Sequence, residues 1–386
     1  MTGKQSAIIV AARRTAVAPR GGAYRHLQAD ELAAPIIEAV LTDAGLSGGD
    51  VDQVILGNAL YGGGNPARLG ALRAGLPETV SAMTIDTQCC SGLDAILQAV
   101  RLVEAGAADC VLAGGAESFS RSAIRMRRPI NSNESPVGYD RPPFSPWPDR
   151  DPDLSEAAAD LARRHGVSRQ AQAVFAVESH GKASACIESG KYGPEIVIVS
   201  GLSRDAFARR LELKTALRAP VIAGDAETGV STATTAVEAD GAAVVAILSE
   251  RKARNLGLTA GLRVLDGVTA AGGPAQPALV PQVAIRRLAG RLDLEPGAFD
   301  AIELMEAYAV QALATIIDLG LDPARVNTNG GALSRGHPIG ASGAILAVRL
   351  FHDLKNRKPG QTGLAAIAAA GGLGTAVAFQ SVDFRA

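Results

Sequence analysis

The sequence predicts an α/β protein in which largely parallel sheets are covered by helices, built as a duplicated unit with an inserted loop domain. Three observations predict this. Short apolar runs alternate with helical patterns, similar segments recur in the same order in the two halves, and a stretch of different composition lies between them.

The strand-like runs are Ser6–Ala11, Val54–Leu56, Cys110–Ala113 and Ala242–Leu248. Between them, Asp30–Ala44, Gly92–Ala105 and Gly343–Leu354 carry helical patterns. Alternation of this kind argues for parallel sheets with helices on their faces. Glycine is abundant at 43 residues while aromatic residues make up 4%. That balance suits closely packed strands and tight loops better than a core of large rings.

The repeat has three parts. Val51–Ala59 resembles Phe299–Ala307, Ser91–Leu102 is echoed by Ser342–Leu350, and Val111–Gly115 pairs with Ala368–Gly372. One such match among Ala/Gly/Val-rich segments carries little. Three in one order favour duplication, with an N-terminal half over 1–250 and a C-terminal half over 251–386.

The intervening stretch begins with Arg121, Arg125, Arg127 and Arg128, followed by seven prolines and the single tryptophan, Trp147. It reads as an irregular excursion. Ser155–Ser189 then turns helical, with Ser168 a fitting N-cap. Together these mark a loop domain over about 119–227. The Arg121–Arg128 cluster reads as a solvated loop, with phosphate contact as the alternative.

Bulk properties narrow the function. The chain has 386 residues, 47% of them hydrophobic and 20% charged, with a net charge of -1. This is globular composition, and no overall basic field exists to hold nucleic acid or an anionic membrane. The 4 cysteines do not make a disulfide framework, and a reducing cytoplasm is the simplest setting. Neither a CxxC pair nor a His-x-x-x-His pair points to a metal. The apolar run Ala7–Ala12 stops at Arg13-Arg14, too short for a secretory segment. Gln361–Val382 is uncharged, but Ala370–Gly374 splits it, so it reads as two buried strands rather than a membrane span.

Two segments carry chemistry. In Thr87-Gln-Cys-Cys-Ser-Gly-Leu, Cys89 follows a strand-like run and precedes a helix. Unpaired N–H groups at a helix start stabilise a thiolate, which predicts a thiol pKa lowered from about 8.5. The plainer reading makes both Cys89 and Cys90 small buried hydrophobes. In Asn329-Gly-Gly-Ala-Leu-Ser-Arg-Gly-His-Pro-Ile-Gly-Ala-Ser-Gly, His337 sits in a glycine-rich run, again just ahead of a helix. An imidazole there is placed to deprotonate a thiol or to donate to an oxyanion. His26, His165, His180 and His352 lie in helix-like or charged contexts and read as surface residues. The duplication puts Cys89 and His337 before equivalent helices, so a pseudo-twofold fold would bring them together as an activated nucleophile.

With these residues in hand, the chain resembles the thiolase family over nearly its whole length. The segments that carry the resemblance are Arg14-Thr15, Asn65-Pro-Ala-Arg, Gln88-Cys-Cys-Ser-Gly-Leu, Ala113-Gly-Gly-Ala-Glu-Ser, Asp240-Gly-Ala-Ala and, most specific, Gly336-His-Pro-Ile-Gly-Ala-Ser-Gly. The resemblance implies a five-layer αβαβα core, a loop domain over a coenzyme A site, and a homodimer or homotetramer. It implies that Cys89 takes the acyl group from an acyl-CoA, that His337 assists, and that Ala370, Gly371 and Ser342 contact substrate. CoA enters as substrate, and no separate cofactor is implied.

Three departures qualify that expectation. The family's second catalytic cysteine, in a Cys-x-Gly-Gly-Gly-x-Gly motif, is replaced by Ala368. Met305 stands where an Asn normally holds an oxyanion-hole water, and Thr234-Thr-Ala replaces a coenzyme-contacting Asn-Ala-Ser. Losing a general base costs roughly 10² to 10⁴ in rate, and losing an oxyanion donor about 3 kcal/mol of barrier. The expected function is acyl-CoA C-acyltransfer, within lipid metabolism, through a Cys89 thioester with a non-standard second substrate or step. Acyl transfer or hydrolysis without carbon–carbon chemistry and a non-catalytic CoA-ester binder are the alternatives.

Overall fold

Cys110–Glu117 and Ala239–Ser249 are buried at every residue, as strands with helices on both faces must be. The structure is a computed structural model describing residues 5–355 and 357–384. Its sheet strands are β1 (Ala7–Thr15), β2 (Gln53–Gly57), β3 (Ser81–Ile85), β4 (Cys110–Glu117), β5 (Ala239–Ser249), β6 (Ala260–Ala271), β7 (Ala301–Leu304), β8 (Thr362–Ala369) and β9 (Leu373–Asp383). The longer helices are α1 (Ala29–Ala44), α2 (Pro66–Arg73), α3 (Ser91–Glu104), α4 (Leu154–His165), α5 (Arg169–Glu188), α6 (Val280–Arg291), α7 (Ala309–Leu319) and α8 (Ile339–Leu354).

The sheet runs β7-β8-β9-β6-β1-β5-β4-β2-β3. Only Ile8 and Ile9, facing Arg263 and Leu262, join its two halves. From β7 inward the pairings are parallel, antiparallel, antiparallel. From β2 inward they are the same. Order and direction thus repeat about a pseudo-twofold axis between β1 and β6. The expectation of largely parallel sheets is corrected. Along this order only the outer pairs are parallel, because burial on both faces looks alike in sequence for either direction, and Ala370–Gly372 turns β8 straight back into β9.

The repeat segments fare differently in space. Val51–Ala59 and Phe299–Ala307 contain the matching strands β2 and β7. Val111–Gly115 and Ala368–Gly372 do not correspond. The first lies inside β4, whereas the second spans the end of β8 and its turn.

Alternation along the strands builds the layers. Ala243, Val245 and Ile247 of β5 point into a central core with α3 and α8, while Val244, Ala246 and Leu248 point outward to α1. In the other half, Ala365 and Ile367 join that central core, and Leu364 and Ala366 face α6 and α7. The result is helix, sheet, helix, sheet, helix. Helix α8 is buried from Gly340 to Phe351 without a break, as expected for a helix enclosed on all sides.

Residues 118–238 connect β4 to β5 and carry α4 and α5, whose first turns are capped by Asp153 and Ser168 through the Ser155 and Ala171 N–H groups. Arg14 of β1 anchors this excursion. Its buried guanidinium lies 2.7 Å from both Glu195 and Asp205, and Glu195 lies 2.6 Å from buried Arg349. Breaking such a buried pair typically costs 3–5 kcal/mol, roughly, because a charge is left uncompensated.

Among the described residues, no helix is long and apolar enough to cross a membrane. Gln361–Val382 forms β8, its turn and most of β9. The surface reading of the histidines holds for His26 alone. His180 is 1% exposed and packs on Phe207, and His165 and His352 are half-buried against Asp318 and the Ala12 carbonyl. Helical patterns do not report which face a later segment will cover.

Candidate active site

Two glycines bring the site together. A Cβ on Gly92 would lie 2.7 Å from the Gly340 carbonyl oxygen, and one on Gly343 would lie 2.6 Å from the Leu93 nitrogen. Neither position tolerates a side chain, so α3 and α8 cross in backbone contact at their first turns. Gly92 and Gly343 are the matched glycines of the repeat, and the residues just ahead of these helices are drawn to one place.

Cys89 sits in a tight turn. Gln88 adopts φ +55°, an uncommon conformation for a non-glycine residue. The turn is held by Thr87 N–H on Ser91 Oγ at 2.9 Å and Gln88 N–H on Asp86 Oδ1 at 2.8 Å. This geometry leaves Cys89 half-buried against the edge of the central core while Cys90 turns inward, fully buried beneath β8 near the Ile367 carbonyl. The small-hydrophobe reading therefore applies to Cys90.

His337 Nε2 lies 3.2 Å from Cys89 Sγ, and His337 Nδ1 lies 2.6 Å from Ser342 Oγ. The Ser342 hydroxyl donates to the Pro338 carbonyl at 3.0 Å. Its single hydrogen is committed there, so it accepts from Nδ1–H. The neutral ring then keeps its Nε2 lone pair toward the thiol. Ser342, expected as a substrate contact, fixes the tautomer.

Burial pushes the Cys89 thiol up to about 12 and the His337 imidazole down to about 4. The lowered thiol pKa expected from the helix start is corrected. Desolvation outweighs the stabilising N–H groups of Ala370 and Cys89 itself, and the Glu117 and Asp86 carboxylates push the same way as burial. The resting pair is a neutral thiol and a neutral imidazole.

Glu117 at the end of β4 underpins the arrangement. It accepts from Asn58 Nδ2, Ala59 N–H and Gly340 N–H at 2.9, 2.9 and 3.0 Å. The last of these bonds ties it to the start of α8. Burial raises its pKa to about 7.

Cys89 opens into a small pocket of about 50 Å³ whose walls include Leu154, Ala157, Pro277, Tyr308, Gln311 and Ala368. Ala370 also lines it, whereas Gly371 serves the turn at φ +79° against the Phe144 carbonyl. Among the described residues, Tyr308 is the only titratable group besides Cys89 that lines it. Its hydroxyl lies 3.2 Å from Ser155 Oγ, and burial raises its pKa, so it stays a protonated phenol. The altered Met305–Tyr308 segment divides its roles. Met305 is 1% exposed within the central core. Glu306 is bonded to Asn327, Ser179 and Leu333 N–H. Thr234 is buried, with its hydroxyl used in the local turn to Ser231. None of Arg121, Arg125, Arg127 and Arg128 lines the pocket.

Sequence reasoning missed Leu154, Ala157 and Gln311. The small alanines on one face of α4 were visible, but nothing in sequence says that α4 folds over Cys89.

Residues 7–251 match the family described as "Thiolase, N-terminal domain", and residues 259–381 match "Thiolase, C-terminal domain". The chain is 39% identical over 380 residues to a Bacillus subtilis protein named "Putative acetyl-CoA C-acetyltransferase YhfS", covering 97% of this chain and 99% of that one. It is 36% identical over 393 residues to the acetyl-CoA acetyltransferase of Cupriavidus necator, covering 97% and 98%. The crystal structure of the Bacillus anthracis acetyl-CoA acetyltransferase superposes with a TM-score of 0.92 at 30% identity, covering 99% of this chain and 100% of that one.

Proposed function

Because the chain belongs to the thiolase family, we propose that it is an acyl-CoA C-acyltransferase that carries the acyl group on Cys89 and completes its cycle with a non-standard second substrate or step. The observation that carries this is the 3.2 Å contact between Cys89 Sγ and His337 Nε2 at the base of a pocket in which Ala368 faces the thiol's surroundings. The names of the similar proteins support acetyl-CoA or a related thioester as donor.

In the first step His337 Nε2 takes the Cys89 proton as sulfur attacks the thioester carbonyl carbon. The N–H groups of Ala370 and Cys89, already directed at the sulfur, lie where they would receive the carbonyl oxygen as it gains charge. The bond from carbon to the CoA sulfur then breaks, and the proton on Nε2 leaves with that sulfur. Every group this step needs is present. No cofactor enters it.

The second step differs from the family's. Deprotonating a second thioester at its α-carbon needs an acid/base, and alanine at 368 supplies none. An acceptor that decarboxylates, or that is a nucleophile in its own right, requires no such group. Hydrolysis or transfer without a carbon–carbon bond is the second reading, favoured by the lack of any lining base beside the Cys89–His337 pair.

In this reading the N-terminal half extends to about residue 250 with the loop domain at about 119–227, and residues 251–386 form the other half. A homodimer or homotetramer fits the edge strand β3, where Met83 is 38% exposed.

The test is acetyl-CoA alone, with intact mass and free CoA followed together. One acetyl group gained by wild type and not by C89A supports the acyl-enzyme. Continuous CoA release without a carbon–carbon product favours the second reading, and no acetylation at all removes both.

A further inference from the structure

Gln311 is 3% exposed and lines the Cys89 pocket, and its Nε2 is buried without a hydrogen-bond partner among the described residues. Buried amides are almost always paired, because an unpaired one keeps its full desolvation cost. The rest of the pocket explains what would pair it. Gln311 and Tyr308 are three residues apart at the start of α7, on one face of its first turn. Ser155, from the excursion above, bonds the Tyr308 hydroxyl. The other walls are aliphatic, and no lysine or arginine lines the space.

We propose that this pocket selects acyl groups carrying a hydroxyl on the chain, held by the Gln311 amide, over unsubstituted or carboxylated chains. The inference rests on Cys89 as the acyl carrier and adds the class of group it carries. An amide both donates and accepts, and half a turn of its terminal torsion exchanges the two ends. A hydroxyl is the neutral group that answers both. A carboxylate would be buried here without a cation to compensate it. A saturated chain would leave the amide unpaired, the situation in which hydrogen-bonding sites reject analogues lacking the polar group.

The experiment measures the rate of Cys89 acylation by intact mass with butyryl-CoA, 3-hydroxybutyryl-CoA, 4-hydroxybutyryl-CoA and succinyl-CoA at equal subsaturating concentration. At least one hydroxybutyryl thioester is expected to acylate wild type at least about tenfold faster than butyryl-CoA and succinyl-CoA. In Q311L the ratio of hydroxybutyryl to butyryl should fall to about one. The melting temperature should not fall, since an unpaired amide gives way to an apolar side chain of similar shape. Equal rates in wild type, a preference for succinyl-CoA, or a hydroxyl preference that survives in Q311L would each overturn the proposal while leaving the acyl-enzyme in place. Labelling by none of the four thioesters would instead remove the acyl-enzyme itself, and this proposal with it.

Discussion

His337 Nε2 stands 3.2 Å from Cys89 Sγ although the two residues are 248 positions apart in the chain. Their meeting depends on the backbone crossing of α3 and α8 at Gly92 and Gly343. An alanine at either glycine must push the helices apart. G343A is expected to slow acylation by more than tenfold at saturating donor, roughly, since small displacements of reacting groups have effects of up to about 10². Single-turnover acylation against the melting temperature checks it. A G343A protein that acylates as wild type does would show that the crossing does not position the pair.

Removing the imidazole should cost more. H337A is expected to lower the acylation rate by roughly 10² to 10⁴, the range for a positioned general base. S342A should cost about ten- to a hundredfold, the scale on which an orienting partner acts on a functional histidine. It removes only the acceptor that holds Nδ1–H. Restoration by S342T and not by S342V would separate loss of the hydrogen bond from loss of packing.

The pH dependence follows from burial. With the His337 imidazole lowered to about 4, the base stays unprotonated well below neutrality. Acylation measured by quench should hold nearly level from pH 7 to about pH 5 and fall as pH approaches 4. Stability shares the sign. A histidine whose folded pKa is depressed contributes stability that is present above its unfolded value of about 6.5 and is lost as pH falls through the folded value. His180, lowered to about 4 by burial and by Arg209, adds to the same window. The two histidines therefore pull urea midpoints down between about pH 6.5 and 4, while the buried Glu117 and Glu303 carboxyls, raised to about 7, pull the other way. H180F should lose less stability than wild type over that window.

A thiol placed at position 368 tests the proposed second step. A368C places a thiol in the same pocket as Cys89. Combined with M305N, it is expected to gain acetoacetyl-CoA formation from acetyl-CoA by at least roughly 10²-fold over wild type, the scale of a general base. Product assay by chromatography checks it. No gain in a folded, acylating double variant would mean that the lost chemistry does not reside at these two positions.

Much of the site was legible because its parts are local. Cys89 ahead of α3, His337 in its glycine-rich run, alanine at 368 and Ser168 as a helix cap are all statements about a residue and its near neighbours. Strand positions were equally legible, since alternation reports burial. The direction of pairing was not. Two faces covered by helices give the same pattern in parallel and antiparallel strands, so the central antiparallel pairs escaped, and Val111–Gly115 was matched to a turn.

The sequence by itself determined which side chains are candidates for the chemistry, which family residue is missing, and that the chain is a duplicated α/β unit. Tertiary structure decided their state. It reversed the expected shift of the Cys89 thiol, gave Ser342 to the imidazole, folded α4 over the pocket, and left Gln311 without a partner. Desolvation and pairing depend on which distant atoms surround a group. No short stretch of chain records them.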